Sequence, residues 1–94
     1  MTFRRPNPVF SDEYRAIREV LVEARRKAGL TQRDLARTLG REYSHIARIE
    51  AGQRRIDTLE LYRIAKSVRL DPSDLFGRIC QRIETSTAES DRER

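Results

Sequence analysis

Between Gly29 and Arg55 the chain sets two short helical patterns within a few residues of each other, on either side of Gly40. Leu35, Ala36 and Leu39 recur at helical spacing in the first, Ile46 and Ile49 in the second, while Arg, Gln, Ser and Tyr take the opposite faces. Two short helices joined so tightly cross at a steep angle, and the second projects outward from the core. That geometry presents a helix to the major groove of DNA.

The rest of the chain agrees with a small helical domain. Ser11 is a good N-cap, followed by Asp12 and Glu13 where acids suit the helix dipole. A first helix runs from there to about Ala28, with Tyr14, Ile17, Leu21, Ala24 and Ala28 along one side, and Gly29 ends it. Thr31 caps a second helix, with Asp34 completing a capping-box-like pair, and Gly40 closes it near Leu39. A third helix is expected from about Glu42 to Ala51, stopped by Gly52. Asp57, with Glu60 three residues on, starts a fourth, whose apolar positions are Leu59, Leu61, Ile64, Ala65 and Val68. Asp71-Pro72 starts a fifth, lined by Leu75, Phe76, Ile79, Cys80 and Ile83. No segment shows strand periodicity. The expected architecture is all-α: a compact five-helix domain over residues 11–83, an extended, flexible N-terminal arm over 1–10 that contains Pro6 and Pro8, and a disordered tail over 84–94.

Charge narrows the choice of partner. The 94 residues have a formal net charge of +5, and the last eleven are acidic, with Glu84, Glu89, Asp91 and Glu93 against Arg92 and Arg94. The basic surplus therefore lies upstream, where it suits a polyanion whose counterions are released on binding. All of the 20 basic residues except Lys27 and Lys66 are Arg, which GC-rich codon usage also explains, so charge alone is a weak argument. The longest apolar run is Val20-Leu21-Val22, too short for a membrane span, and Met1 to Arg5 lead into no apolar signal segment. Cys80 has no internal partner, which points to the cytoplasm. His45, the single histidine, lies three residues after Glu42, but no further histidine or cysteine cluster completes a zinc site. His45 is read as structural or DNA-proximal, and Cys80 as a small buried hydrophobe rather than a redox switch. Neither a catalytic constellation nor a cofactor or metal site is expected.

The order of these signals resembles the lambda-repressor-like domains, the Cro/C1 or XRE-type helix-turn-helix family, over about residues 14–77. Its most specific pieces are Gly29-Leu30-Thr31-Gln32, Leu35-Ala36, Leu39-Gly40, Ile46-Ala47-Arg48-Ile49-Glu50, Ala51-Gly52 and Asp71-Pro72. The resemblance implies that the third helix reads DNA, with Glu42, Tyr43, Ser44 and Arg48 facing base edges or adjacent phosphates. It implies backbone contacts from Gln32, which also braces the recognition helix, and from Gln53, Arg54 and Arg55. It further implies a structural pair between Arg25 and Glu50. Two positions depart from the family pattern. Glu42 replaces the usual Ser, Thr or Pro, and its charge faces the phosphate field unfavourably; capping the helix or a neutral role is the favoured reading, with acceptance from a cytosine amino group as the alternative. Tyr43 replaces a side chain that commonly bears an amide, so adenine readout by Gln is lost there. Arg48 matches the two acceptors of guanine, with a phosphate contact or a solvated side chain as the alternatives.

Phe76, Cys80 and Ile83 extend apolar surface around the last helix beyond what one small core needs. A two-fold dimer is expected there through Phe76, Ile79, Cys80 and Ile83, with Phe10 or Val9 beside them, setting two recognition helices on a palindromic site. The alternative is an arm that covers Phe76 within one subunit. Arg4 and Arg5 could reach a minor groove. The resemblance implies a transcription regulator of bacterial or phage origin, most simply a dimeric repressor on double-stranded DNA. The competing function is an antitoxin-like or adaptor module whose main partner is another protein.

Overall fold

The structure, a computed structural model, describes residues 11–92, with side chains as far as Ser86. The proposed arm, with Arg4, Arg5, Val9 and Phe10, lies outside the described residues. Five helices follow one another: α1 (Asp12–Lys27), α2 (Gln32–Leu39), α3 (Tyr43–Glu50), α4 (Thr58–Ser67) and α5 (Pro72–Arg92). No strand occurs among the described residues.

Local chemistry sets the starts. Ser11 Oγ accepts the Tyr14 N–H at 3.0 Å, satisfying one of the donors that a helix N-terminus leaves unpaired. Complete capping boxes join Thr31 to Asp34 and Asp57 to Glu60. Ahead of α5, Asp71 accepts the Ser73 N–H at 2.8 Å, and Pro72 needs no hydrogen-bond acceptor at the first helical position.

All five helices contribute to one core. Val20, Leu21 and Ala24 of α1 meet Leu35 and Ala36 of α2, Ile46 and Ile49 of α3, Ile64 and Ala65 of α4, and Leu75 and Ile79 of α5. Each fully buried Ile or Leu contributes about 1.5–3 kcal/mol relative to exposure, so this cluster outweighs any surface ion pair. The α1–α5 contact is the most extensive, and α2 packs chiefly on α3. The Tyr14 hydroxyl accepts the Ile56 N–H, tying α1 to the loop before α4.

Three expectations are corrected. Ile79 is 2% exposed within the single chain, so it completes the core and is removed from the dimer surface. Leu59, assigned to the apolar side of the fourth helix, is 55% exposed, because the α4 face carrying Ile64 and Ala65 is the one turned inward. The last helix does not stop at Ile83: its backbone stays helical to Arg92. Loss of apolar residues after Ile83 removes packing but supplies no stop, since no Gly or Pro follows Gly77. A helix nucleated against the core by Leu75 and Ile79 extends one residue at a time without a new nucleation cost.

Candidate nucleic-acid interface

The elbow between α2 and α3 depends on Gly40. It ends α2 in the left-handed conformation, with φ +67°, and its N–H reaches back to the last turn. Only two residues, Arg41 and Glu42, separate it from the first residue of α3. Ile46 and Ile49 then face the core, which turns the other side of α3 to solvent. Arg48 is exposed and shares a helical face with Ser44, four residues earlier. Tyr43, at the outer end, is 43% exposed.

Glu50, the last residue of α3, fixes the orientation of that helix. Arg25 of α1 meets it through two contacts, Nε to Oε2 at 2.7 Å and Nη2 to Oε1 at 3.0 Å, with both side chains under 10% exposed. The third Arg25 nitrogen, Nη1, donates to the Leu30 carbonyl at 2.8 Å. Gln32 Nε2 of α2 donates to the same Glu50 carboxylate at 2.8 Å. Glu50 thus joins α1, α2 and α3 in one network that leaves neither carboxylate oxygen without a partner. The Gln32 amide nitrogen is held inside this network, which positions its side chain at the start of α2, beside Arg33 and Tyr43.

A second buried carboxylate organises the loop after α3. Glu60 accepts the Asp57 N–H at 3.0 Å, sits 2.6 Å from His45 Nε2, and receives Arg54 Nη1 on both oxygens at 3.2 Å. Burial pushes this carboxyl up, but the Asp57, His45 and Arg54 hydrogen bonds together hold it below the ordinary carboxylate value. Arg54 Nη1 also donates to the Arg55 carbonyl, so Arg54 is pinned while Arg55 and Gln53 are exposed. Glu42 stands at the N-cap of α3, but its side chain makes no capping hydrogen bond. The capping role considered for Glu42 is thereby corrected: the longer Glu side chain lacks the short reach of Ser, Thr, Asp or Asn.

Sequence reasoning missed three residues. The Arg33 guanidinium lies 4.4 Å from the centre of the Tyr43 ring, a cation–π contact across the elbow. Arg18 of α1 reaches the Glu50 carbonyl at 3.4 Å and lies over Gly52. Glu60 was legible as a helix-start residue, but nothing in the linear order pairs it with His45. Among the described residues no cluster of three or more His, Cys, Asp or Glu is placed to hold a metal, and no helix is long and apolar enough to cross a membrane.

A family model described as "Helix-turn-helix" matches residues 21–75. No curated protein matches the chain. Among solved structures, an XRE-family like protein from Pseudomonas syringae pv. tomato is 36% identical, with a TM-score of 0.67 over 71% of this chain and 82% of that one. A mutant of the restriction-modification controller protein C.Esp1396I is 23% identical, with a TM-score of 0.72 over 78% and 97%. The clp gene regulator ClgR from Corynebacterium glutamicum is 17% identical, with a TM-score of 0.76 over 86% of each chain, and shows the fold alone. With the glycine-turned elbow, the outward α3 and the matched sequence in agreement, this chain belongs to the lambda-repressor-like, XRE-type helix-turn-helix family of DNA-binding transcription regulators.

Proposed function

We propose that this protein is a sequence-specific double-stranded-DNA-binding regulator that represses transcription by occupying a promoter, as a homodimer on a palindromic operator. The carrying observation is α3: its inner face is anchored by Ile46, Ile49 and Glu50, while Tyr43, Ser44 and Arg48 are turned outward. A reading helix held by a rigid core loses little entropy on docking, so its side chains meet base edges in a defined register. Arg48 donates to a guanine, Tyr43 packs on a thymine methyl or donates to phosphate, and Glu42 accepts from a cytosine amino group. Gln32, Gln53, Arg54 and Arg55 contact the phosphate backbone and set register.

The dimer surface is the stripe of Phe76, Cys80 and Ile83 on α5, spaced at one helical face. Phe76 is 53% exposed, and Cys80 and Ile83 are half-buried. Two-fold symmetry through this stripe sets two copies of α3 about 34 Å apart, one DNA turn. The cytoplasm is the compartment that suits such a regulator.

Fluorescence-anisotropy titration against the upstream region of its own gene and against a scrambled duplex, over a salt series, tests the reading. Tight binding to the first, weak binding to the second and a steep salt slope are expected. Arg48→Ala is expected to cost about 1–3 kcal/mol of site binding and to relax preference at one base position. Equal, weak binding to both duplexes, repeated on a pool of random sequence, would count against a site-specific regulator and leave a protein-binding module as the better reading.

A further inference from the structure

Away from α3, the faces of α1 and α5 enclose a half-open groove of about 680 Å³. Val20 and Ala24 form its floor, and Arg26, Lys27, Arg78 and Arg82 stand along its walls. One acid, Glu23, also borders it, but Arg82 Nη2 lies 2.7 Å from the Glu23 carboxylate and Arg82 Nη1 lies 3.3 Å from Glu19. Arg82 is therefore spent on joining α5 to α1. Arg26, Lys27 and Arg78 are exposed and make no ion pair among the described residues.

Basic residues in a last helical turn offset the helix dipole, which accounts for Arg26 and Lys27 at the end of α1. It does not account for Arg78, which lies inside α5. The position of Arg26 supplies the link. Besides this groove it lines a second cleft, of about 570 Å³, bounded by Thr31, Gln32, Arg33 and Tyr43 at the starts of α2 and α3. Arg26 thus borders both the cleft beside the reading helix and the α1–α5 groove. Val20 and Ala24 are each only 5% exposed, so the floor itself offers little apolar area and the charged walls dominate what a partner meets. A groove walled by cations fits a regularly charged backbone better than an apolar partner.

We propose that the α1–α5 groove is a second DNA-contact surface, taking the phosphate backbone of duplex that flanks the site read by α3, with Arg26, Lys27 and Arg78 as its phosphate contacts. This rests on α3 being the DNA-reading helix. The groove then adds affinity without sequence preference and lengthens the bound footprint beyond the operator.

The test compares two duplexes carrying a site selected from random sequence: the bare site, and the same site extended on each side by about one helical turn. Full-length protein and the triple variant Arg26→Gln, Lys27→Gln, Arg78→Gln are titrated over a salt series, with thermal melting to verify folding. These side chains are exposed, so the fold is expected to survive. The wild type is expected to bind the extended duplex more tightly and with a steeper salt slope. The triple variant should lose the gain that the flanks give the wild type, its salt slope on the extended duplex falling by roughly two to three toward its own value on the bare site. No flank effect in the wild type, or an undiminished one in the triple variant, overturns the proposal. Saturable binding of a polyglutamate peptide, abolished in the triple variant while flank effects are absent, would reassign the groove to an acidic protein segment. Failure of wild type to bind even the bare site would bring down the assignment of α3 as well, a separate outcome.

Discussion

Glu50 is held by both ends of the Arg25 guanidinium fork and by Gln32, all in a site from which water is nearly excluded. Removing one member of such a pair leaves the other charge buried and uncompensated, which costs about 3–5 kcal/mol. Glu50→Ala is therefore expected to lower stability by that amount in thermal or urea melts, a large share of the roughly 5–15 kcal/mol typical of a domain. A loss below 1 kcal/mol would show that the pair does not hold α3. Glu60 makes a different prediction. Its folded carboxyl is held below the ordinary 4.5, so the folded state binds fewer protons than the unfolded chain as pH approaches that value. The stability it contributes is complete above about 4.5 and is lost as pH falls through the lower, folded value. Glu60→Gln should be less stable than wild type at neutral pH and flatter in stability below pH 5. Parallel acid-unfolding curves for the two would refute this.

At the scale of helices and turns, two glycines with positive φ do different jobs. Gly40, at φ +67°, has open space where a Cβ would stand, so only the backbone demands glycine. Gly52, at φ +79°, faces Arg18, whose Cζ and Nε would lie 2.9 Å from an added Cβ. Gly40→Ala should cost about 1–2 kcal/mol for the left-handed conformation alone. Gly52→Ala should cost about 1 kcal/mol more, because Arg18 must leave its position near the Glu50 carbonyl. In an Arg18→Ala background that surplus should vanish, a coupling readable from a double-mutant cycle of urea melts. Equal costs at both glycines would mean that Arg18 yields without loss. Helix ends also show where linear reading falls short. Arg69, not a glycine, takes the left-handed turn after α4, at φ +63°, while the Leu70 N–H reaches back to the Ala65 carbonyl. No residue-type signal marks that turn.

For the whole molecule, the decisive question is whether two copies meet through α5, as proposed. Phe76 stands out on α5, while its neighbours Leu75 and Ile79 are used up in the core. Phe76→Glu should leave the melting temperature of the subunit nearly unchanged, because the position is already exposed, yet convert a dimer to a monomer in sedimentation equilibrium. Affinity for a palindromic duplex should drop with it, since two linked half-sites reinforce each other. A wild-type protein that sediments as a monomer at tens of micromolar would refute the α5 dimer. The exposed links between Arg82 and Glu19 or Glu23 matter little to this balance, each worth at most about 1 kcal/mol.

Four helix starts and the elbow were legible from the amino-acid order. Ser11, Thr31, Asp57 and Asp71 cap within three residues of themselves, and Gly29, Gly40 and Gly52 mark sharp stops, so the chemistry that places them is local. The outward face of α3 followed from the spacing of Ile46 and Ile49, which sets Arg48 opposite them. Arg25 and Glu50 entered as a pair only through family resemblance; periodicity could not have joined residues 25 apart. Tertiary structure alone decided that His45 and Arg54 converge on Glu60, that Arg33 stacks over Tyr43, that Ile79 is consumed by the core, and that Arg26 bridges two basic clefts. Caps and turns depend on dihedral preferences over a few residues, whereas these meetings depend on the angles at which five helices cross, which the packing of the whole core sets.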